Sequence, residues 1–529
     1  MGIVQRFPYQ GANADQSVVG CHMHRSKTLS ILPVLIFALF SASSCSGPQR
    51  GVICPGGNCG GNGTVAVTMV ADSLPANPAL LTFQVTITSM KFSAASGTST
   101  TVNLNPALTV DLMRLESDTV FLGTFKNIPA AQYSSVTLVL TGNANITFLN
   151  DTGSTLSGCL ANHVCPLSVA ASSNPVATVS FSVSQSAVTG VGIDLNFSHA
   201  VTISGANLAV NFSNNNVLSA FTLPRPNSNL SVGQLDLIED FTGVVSLSSS
   251  TVTITSATVT GRGSLAATAN SNTILNSDPA QKLCLSPIQG QVSSCVSSNQ
   301  AASMDVVLKS DGTLSIQEIE PLLGTLQDTV EGIVVSINTG NTTQFTMIVT
   351  DLIPSAQGSL IGSLQIGNGL VVNLVANPTF FVDTKGLSVL AGNLSNFAGQ
   401  TNTAALHLGQ TVAVHVITPF TAAFGTTLAS ATSDTATLRW SRITATPVAP
   451  FTPNIFNLTG FPSYFSASGT AEVQDFAGTP GTPGITNFDG IADASGLNAS
   501  KPVALRTLFI ENTTNSAAPA FFAAKVRQH

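Results

Sequence analysis

The sequence predicts an all-β chain: a β-sandwich followed by about three small β-barrel-like units, carried on a flexible N-terminal tether. Three observations lead there. Charged residues make up 8% of the chain and hydrophobic ones 43%, with Thr, Val, Ser and Gly recurring throughout, and β-branched residues fit a pleated, half-buried surface. Short runs alternate apolar and polar residues between Gly, Pro and Asn, as strands do. Beyond Leu235 a weak internal repeat sets in, the mark of tandem units. At 529 residues the chain exceeds one hydrophobic core, and length alone suggests roughly three or four domains. A net charge of -7 without a basic stripe argues against nucleic acid as a partner.

The N-terminal region reads as an export signal. Residues 1–22 carry no coherent pattern and precede Met23, so the start is expected at Met23. Residues 23–44 then follow the order of a secretory signal: His24, Arg25 and Lys27, an apolar run from Leu29 to Phe40, and Ser41-Ala42-Ser43-Ser44 before Cys45. The apolar run contains Pro33 and falls short of the about 20 residues a membrane span needs. Small residues ahead of Cys45 resemble a lipobox, with Ala42 standing where Leu is most common. That resemblance implies cleavage that leaves Cys45 as a diacylated, amino-terminal cysteine, and the membrane as a partner through the lipid anchor. Residues 45–63, rich in Gly with Pro48 and Pro55, form the tether. Ser46 at the second mature position, where Asp would retain the protein at the inner membrane, directs the expectation to the outer membrane or cell surface, or to the periplasm or medium without lipid.

Eight cysteines divide simply. Cys21 precedes Met23, Cys45 takes lipid, and the others form close pairs: Cys54/Cys59, Cys159/Cys165 and Cys284/Cys295. An even remainder in an exported chain reads as disulfides. His163 lies between Cys159 and Cys165, but two thiols and one imidazole without a fourth ligand make a poor zinc site.

Residues 64–225 hold the sandwich. Alternation is plain in Thr64 to Val70 and Phe83 to Ile87, with further strands expected at 109–112, 135–140, 176–183 and 191–197. The order Asp72 with Pro75, Val85-Thr86-Ile87, Val110-Asp111-Leu112 and Ile128-Pro129-Ala130-Ala131-Gln132-Tyr133 resembles the domain of unknown function 4382 family. The resemblance implies an immunoglobulin- or transthyretin-like sandwich in a bacterial lipoprotein, and the family has no established activity. Pro129 is expected to fix a turn, and Tyr133 to bury its ring while its hydroxyl finds a backbone partner.

Three β units follow, at 236–324, 329–447 and 452–529. Phe241 to Val245 and Val330 to Val335 open the first two, and Ala302 to Leu308, Thr411 to Val416 and Lys501 to Arg506 each precede a turn and a last strand. The ending Pro519 to Arg527 resembles the domain of unknown function 5666 family, which implies small tandem β units similar to OB-folds.

No phosphate-binding loop, His-Glu-x-x-His or Gly-x-Ser-x-Gly occurs, and no cofactor or metal is expected. His407 and His415 flank a turn and read as satisfied strand histidines sooner than as facing ligands. Glu239/Asp240 and Asp489 to Asp493 are the best acidic clusters, and neither has calcium-loop spacing. Trp440 with Arg439 and Arg442 reads as a half-buried indole under Arg stems. The expectation is a non-enzymatic envelope lipoprotein, structural or ligand-binding, with envelope polysaccharide or protein as partner. Two alternatives remain: a hydrolase with two carboxylates in a cleft about 5–10 Å apart, and an adhesin with exposed aromatics near Trp440 or Tyr464.

Overall fold

The computed structural model describes residues 61–528 except 73–78, 249–250, 256–262, 277–283, 285–286, 323–327, 355–358, 424–427, 468, 479–483 and 512–518. Cys45, Cys54, Cys59, the signal and the tether up to residue 60 lie outside the described residues, while Asn62 and Gly63, expected as the end of the tether, pair with Pro129 and Ile128 in a strand.

The sandwich is built from β1 (Asn62–Asp72), β2 (Ala79–Ala94), β3 (Ser99–Asp111), β4 (Val120–Pro129), β5 (Ala131–Leu149), β6 (Val164–Ala170), β7 (Val176–Val183), β8 (Val188–Asn196), β9 (Val201–Ser204), β10 (Asn207–Val210) and β11 (Leu218–Thr222). One sheet runs β11-β8-β1-β4; the facing one runs β3-β2-β5-β6, with β7 also on β5. β9 and β10 form a separate hairpin. Strict alternation in β7, exposed then buried at every second residue, puts Ala177, Val179, Phe181 and Val183 into the core. Tyr133 stacks on Phe181 with ring centroids 5.3 Å apart, and its hydroxyl donates to the Pro129 carbonyl at 2.9 Å. Thus the ring is buried and its polar end satisfied, as a core tyrosine needs.

Three closed barrels follow. The first comprises β12 (Gln234–Ser248), β13 (Thr251–Thr255), β14 (Ser264–Thr268), β16 (Ala301–Lys309) and β17 (Leu314–Pro321), with the short β15 (Ile274–Leu275) beside β17. The second comprises β18 (Asp328–Ile337), β19 (Gln344–Ile353), β20 (Gly369–Val382), β21 (Thr411–Val416) and β22 (Ala429–Arg439). The third comprises β23 (Ser441–Thr452), β24 (Ile455–Thr459), β25 (Ala471–Gln474), β27 (Val503–Phe509) and β28 (Phe521–Arg527), with β26 (Asn487–Asp489) beside β28. In each, the first strand pairs with the second and fourth, and the third and fifth strands close the barrel in parallel. This is the Greek-key connectivity of five-stranded OB-type barrels.

The repeat in the sequence maps onto this order. Phe241 to Val245 and Val330 to Val335 lie in the first strands, and the three closing segments are the fourth strands β16, β21 and β27. Gly243 and Gly332 occupy matching places: a Cβ there would meet the Thr255 carbonyl oxygen at 2.2 Å or the Ile348 one at 2.5 Å. Only glycine lets the curved first strand approach its neighbour that closely.

One boundary differs from expectation. β22 ends at Arg439 and β23 starts at Ser441, so a break placed near 447 would cut a strand of the third barrel. A single residue, Trp440, joins the two barrels, and no Gly- or Pro-rich linker marks the passage. The cores are likewise continuous across units. Leu508, Ile510 and Phe522 of the third barrel pack with the core of the second, and Ala66 of the sandwich packs with that of the first.

Candidate functional site: a buried ionic junction and its cleft

Among chemically capable residues, the described chain concentrates its buried charges where the sandwich and the barrels meet. Asp240 is the centre. It lies on β12 where the register with β16 slips between Ile238 and Phe241, and its φ is +53°. The bulge frees Glu239 and Asp240 from the ladder and turns both into the junction. Asp240 receives Lys385 at 3.0 Å, Arg439 at 3.3 Å and Arg442 at 2.8 Å, with Arg114 at 3.9 Å. Burial alone would raise the Asp240 carboxyl; Lys385, Arg439, Arg442 and Arg506 overcome it and hold the group well below the carboxylate range.

Every unit contributes to this network. The sandwich sends Arg114 and Asp118 from the turn after β3, the first barrel Glu239, Asp240 and Asp305, the second Glu331, Asp351, Asp383, Lys385 and Arg439, and the third Arg442, Arg506, Lys525 and Arg527. Arg114 meets Asp351 at 3.1 Å; Arg442 meets Asp118 at 2.7 Å; Arg439 pairs with Asp383, and Lys525 with Glu239. Burial works against the Arg114 charge, yet Asp351, Glu331, Asp118 and Asp240 more than offset it and keep it firmly protonated. Charges removed from water need such partners, because an isolated one would neutralise.

The turn Arg114–Glu116 is held from both sides. Asp111 Oδ1 accepts from the backbone N–H groups of Phe83 at 2.8 Å and Met113 at 3.1 Å. Arg527 Nη1 donates to the carbonyls of Leu115, Glu116 and Asp118 at 2.9, 3.1 and 3.2 Å, and Arg527 Nε to Asp489 at 2.8 Å. A guanidinium thus satisfies the carbonyls that the end of a helical turn leaves open.

Glu116, on the same turn, faces away from this network. Among the described residues it has no Lys or Arg ion partner; Thr444 donates to its Oε2 at 2.6 Å, and its buried Oε1 has no hydrogen-bond partner. Burial, with a smaller push from Asp111, raises its carboxyl to about 7 despite the Thr444 bond. It lines a cleft of about 330 Å³ between the sandwich and the third barrel, together with Met113, Asp151, Phe461 and Tyr464. Ser463 at the rim donates to Asp151 at 2.8 Å.

The residues singled out in the sequence fall as follows. Cys159 is bonded to Cys165 and Cys284 to Cys295, which fits an oxidising compartment outside the cytoplasm. His163 is exposed with Nδ1 2.9 Å from the Ala161 carbonyl. His407 and His415 do not face each other: Nδ1 of one lies 3.1 Å from Glu511 and that of the other 2.8 Å from Asp434. Asp493 accepts from the Ser495 N–H at 2.8 Å as a turn cap, whereas Asp489 pairs with Arg527.

Trp440 is a correction. It is fully buried, not half-buried, with the Arg506 guanidinium 5.5 Å from its ring, because it is the joint between two barrels and is covered by both. Tyr464 is also buried, 7% exposed, so neither ring stands on the surface where an adhesin would carry it. No helix among the described residues is long and apolar enough to cross a membrane.

Sequence reasoning reached Glu239/Asp240, Arg439 and Arg442 but missed Arg114, Glu116, Asp118, Asp305, Glu331 and Arg506 as a set. The available signal was isolated charges inside apolar strand runs, such as Asp305 in Ser303-Met304-Asp305-Val306-Val307 and Arg506 in Ala504-Leu505-Arg506-Thr507-Leu508. No family model matches the chain, and no curated protein or solved structure compared with it is similar to it.

Proposed function

We propose that the chain is a non-enzymatic protein of the bacterial cell envelope, anchored through a lipid on Cys45, whose sandwich and barrels act as one rigid body that binds a ligand. The observation that carries this reading is the junction itself: carboxylates and cations of all units are spent on one another and buried, so the network serves to lock the body together. The lipobox-like run at Cys45 and the bonded cysteine pairs support the envelope setting, and the resemblances to the domain of unknown function 4382 and 5666 families support a lipoprotein. Cell fractionation of the wild type and Cys45→Ala tests the anchor: wild type should sediment with membranes, and the variant should become soluble. The purified body should turn over no envelope polysaccharide or peptide; turnover abolished by Glu116→Gln would overturn the reading.

A hydrolase is the second reading, favoured by Glu116 and Asp151 lining one cleft with Glu116 titrating near neutrality, as a general acid does. The same turnover assay decides between them.

A further inference from the structure

Glu320 and Glu331 also bury oxygens without a hydrogen bond, but each has an Arg within ion-pair reach; among the described residues Glu116 has none, and it lines a cleft. Asp118, two residues on, is met by Arg442 and Arg114. Glu116 is 2% exposed, its Oε2 is satisfied by Thr444, and its Oε1 is unpartnered while the side chain lines an open cleft. A buried oxygen left this way lacks one hydrogen-bond donor. Among the described residues no Lys, Arg or His lines the cleft, and its second charged group is Asp151. An anion would therefore meet only carboxylates. The remaining walls combine the hydroxyl residues Thr444, Thr446 and Ser463 with apolar and aromatic surface from Met113, Phe461 and Tyr464, and aromatic rings attract cations.

We propose that this cleft binds a protonated amine carried on an apolar body, the ammonium N–H donating to Glu116 Oε1 and the apolar part lying against Met113, Phe461 and Tyr464. The proposal rests on the ligand-binding reading above and names its ligand class. An amine fits better than a quaternary ammonium, which has charge but no N–H to satisfy Oε1. It fits better than a neutral alcohol, which brings a donor but leaves the carboxylate charge uncompensated.

The groups facing Glu116 set its pH behaviour: Thr444 on β23, Asp111 at the end of β3, Tyr464 in the loop after β24, and Arg527 on β28 at its backbone carbonyl. Arg114 and Asp118 of its own turn are engaged with Asp351 and Arg442. With a carboxyl near 7, the free site is mostly protonated at pH 6 and mostly ionised at pH 8, so an ammonium should bind roughly tenfold tighter at pH 8.

Calorimetric titration of the whole described body, extended through the tether, with n-hexylamine, hexyltrimethylammonium and 1-hexanol tests this. The amine should bind tightest of the three, with affinity rising about tenfold from pH 6 to pH 8. Glu116→Gln should weaken the amine at least tenfold at pH 8 and abolish the pH dependence, while a melting temperature matching wild type at pH 5 shows that it folds. Asp151→Asn should weaken binding less and keep the pH dependence. Equal binding of amine and alcohol, or amine binding untouched by Glu116→Gln, would overturn the proposal. Because n-hexylamine has no hydrolysable bond, this outcome stands apart from that of the turnover assay.

Discussion

Asp118 and Glu116 sit two residues apart on one short turn, both buried, and meet opposite fates. Burial would raise both. For Asp118, the charges of Arg442, Arg114 and Arg506 win and the carboxyl falls below its usual range; for Glu116, no cation answers and the carboxyl rises to about 7. The comparison teaches that burial alone does not decide whether a carboxylate stabilises this fold. What decides is whether a guanidinium or ammonium from another unit reaches it.

The largest break in that contrast comes from the centre of the paired side. Asp240→Ala leaves Arg114, Lys385, Arg439 and Arg442 short of an anion in a buried place, and should cost about 3–5 kcal/mol in denaturant unfolding. Asp118→Asn keeps the shape but removes a charge-assisted bond to Arg442, and should cost about 1.5–3 kcal/mol by the same measurement.

The unpaired side shows in the pH dependence of stability. Folded Glu116 at about 7 and Glu318 at about 8 hold protons that the unfolded chain releases at the ordinary glutamate value, so raising the pH from 5 to 8 favours the unfolded chain. The depressed Asp118 and Asp240 act the other way, losing their contribution only at more acid pH as they protonate. Melting temperature should therefore fall between pH 5 and 8, and Glu318→Gln should flatten that slope. The smallest effect is that of Glu116→Gln at pH 5, where the carboxyl is already protonated: it removes no ion pair and should change stability by under about 1 kcal/mol, whereas at pH 8 it should stabilise, as Glu318→Gln does.

The all-β architecture was legible because its signals are local. Alternation in Val176 to Val183, and the pairs of matching segments that open and close the barrels, are read within a dozen residues. The Tyr133 hydroxyl found its carbonyl four residues upstream for the same reason. The ionic junction was not legible, since Arg114 reaches Asp351 across 237 positions and Arg442 reaches Asp118 across 324. A lone charge in a strand reads as solvent-facing until its partners are placed. Trp440 failed similarly: period two gives a face, but only the abutting barrel says that this face is covered.

Arg527 closes the turn of the sandwich from 412 positions away. A chain that emerges N-terminus first into its folding compartment presents the first domain before the side chain that caps it arrives. During that interval Arg114, Glu116 and Asp118 have neither Arg442 nor Arg527 to hold them, and they stay hydrated. Assembly thus has a direction in time, and the final β-strand acts as its latch.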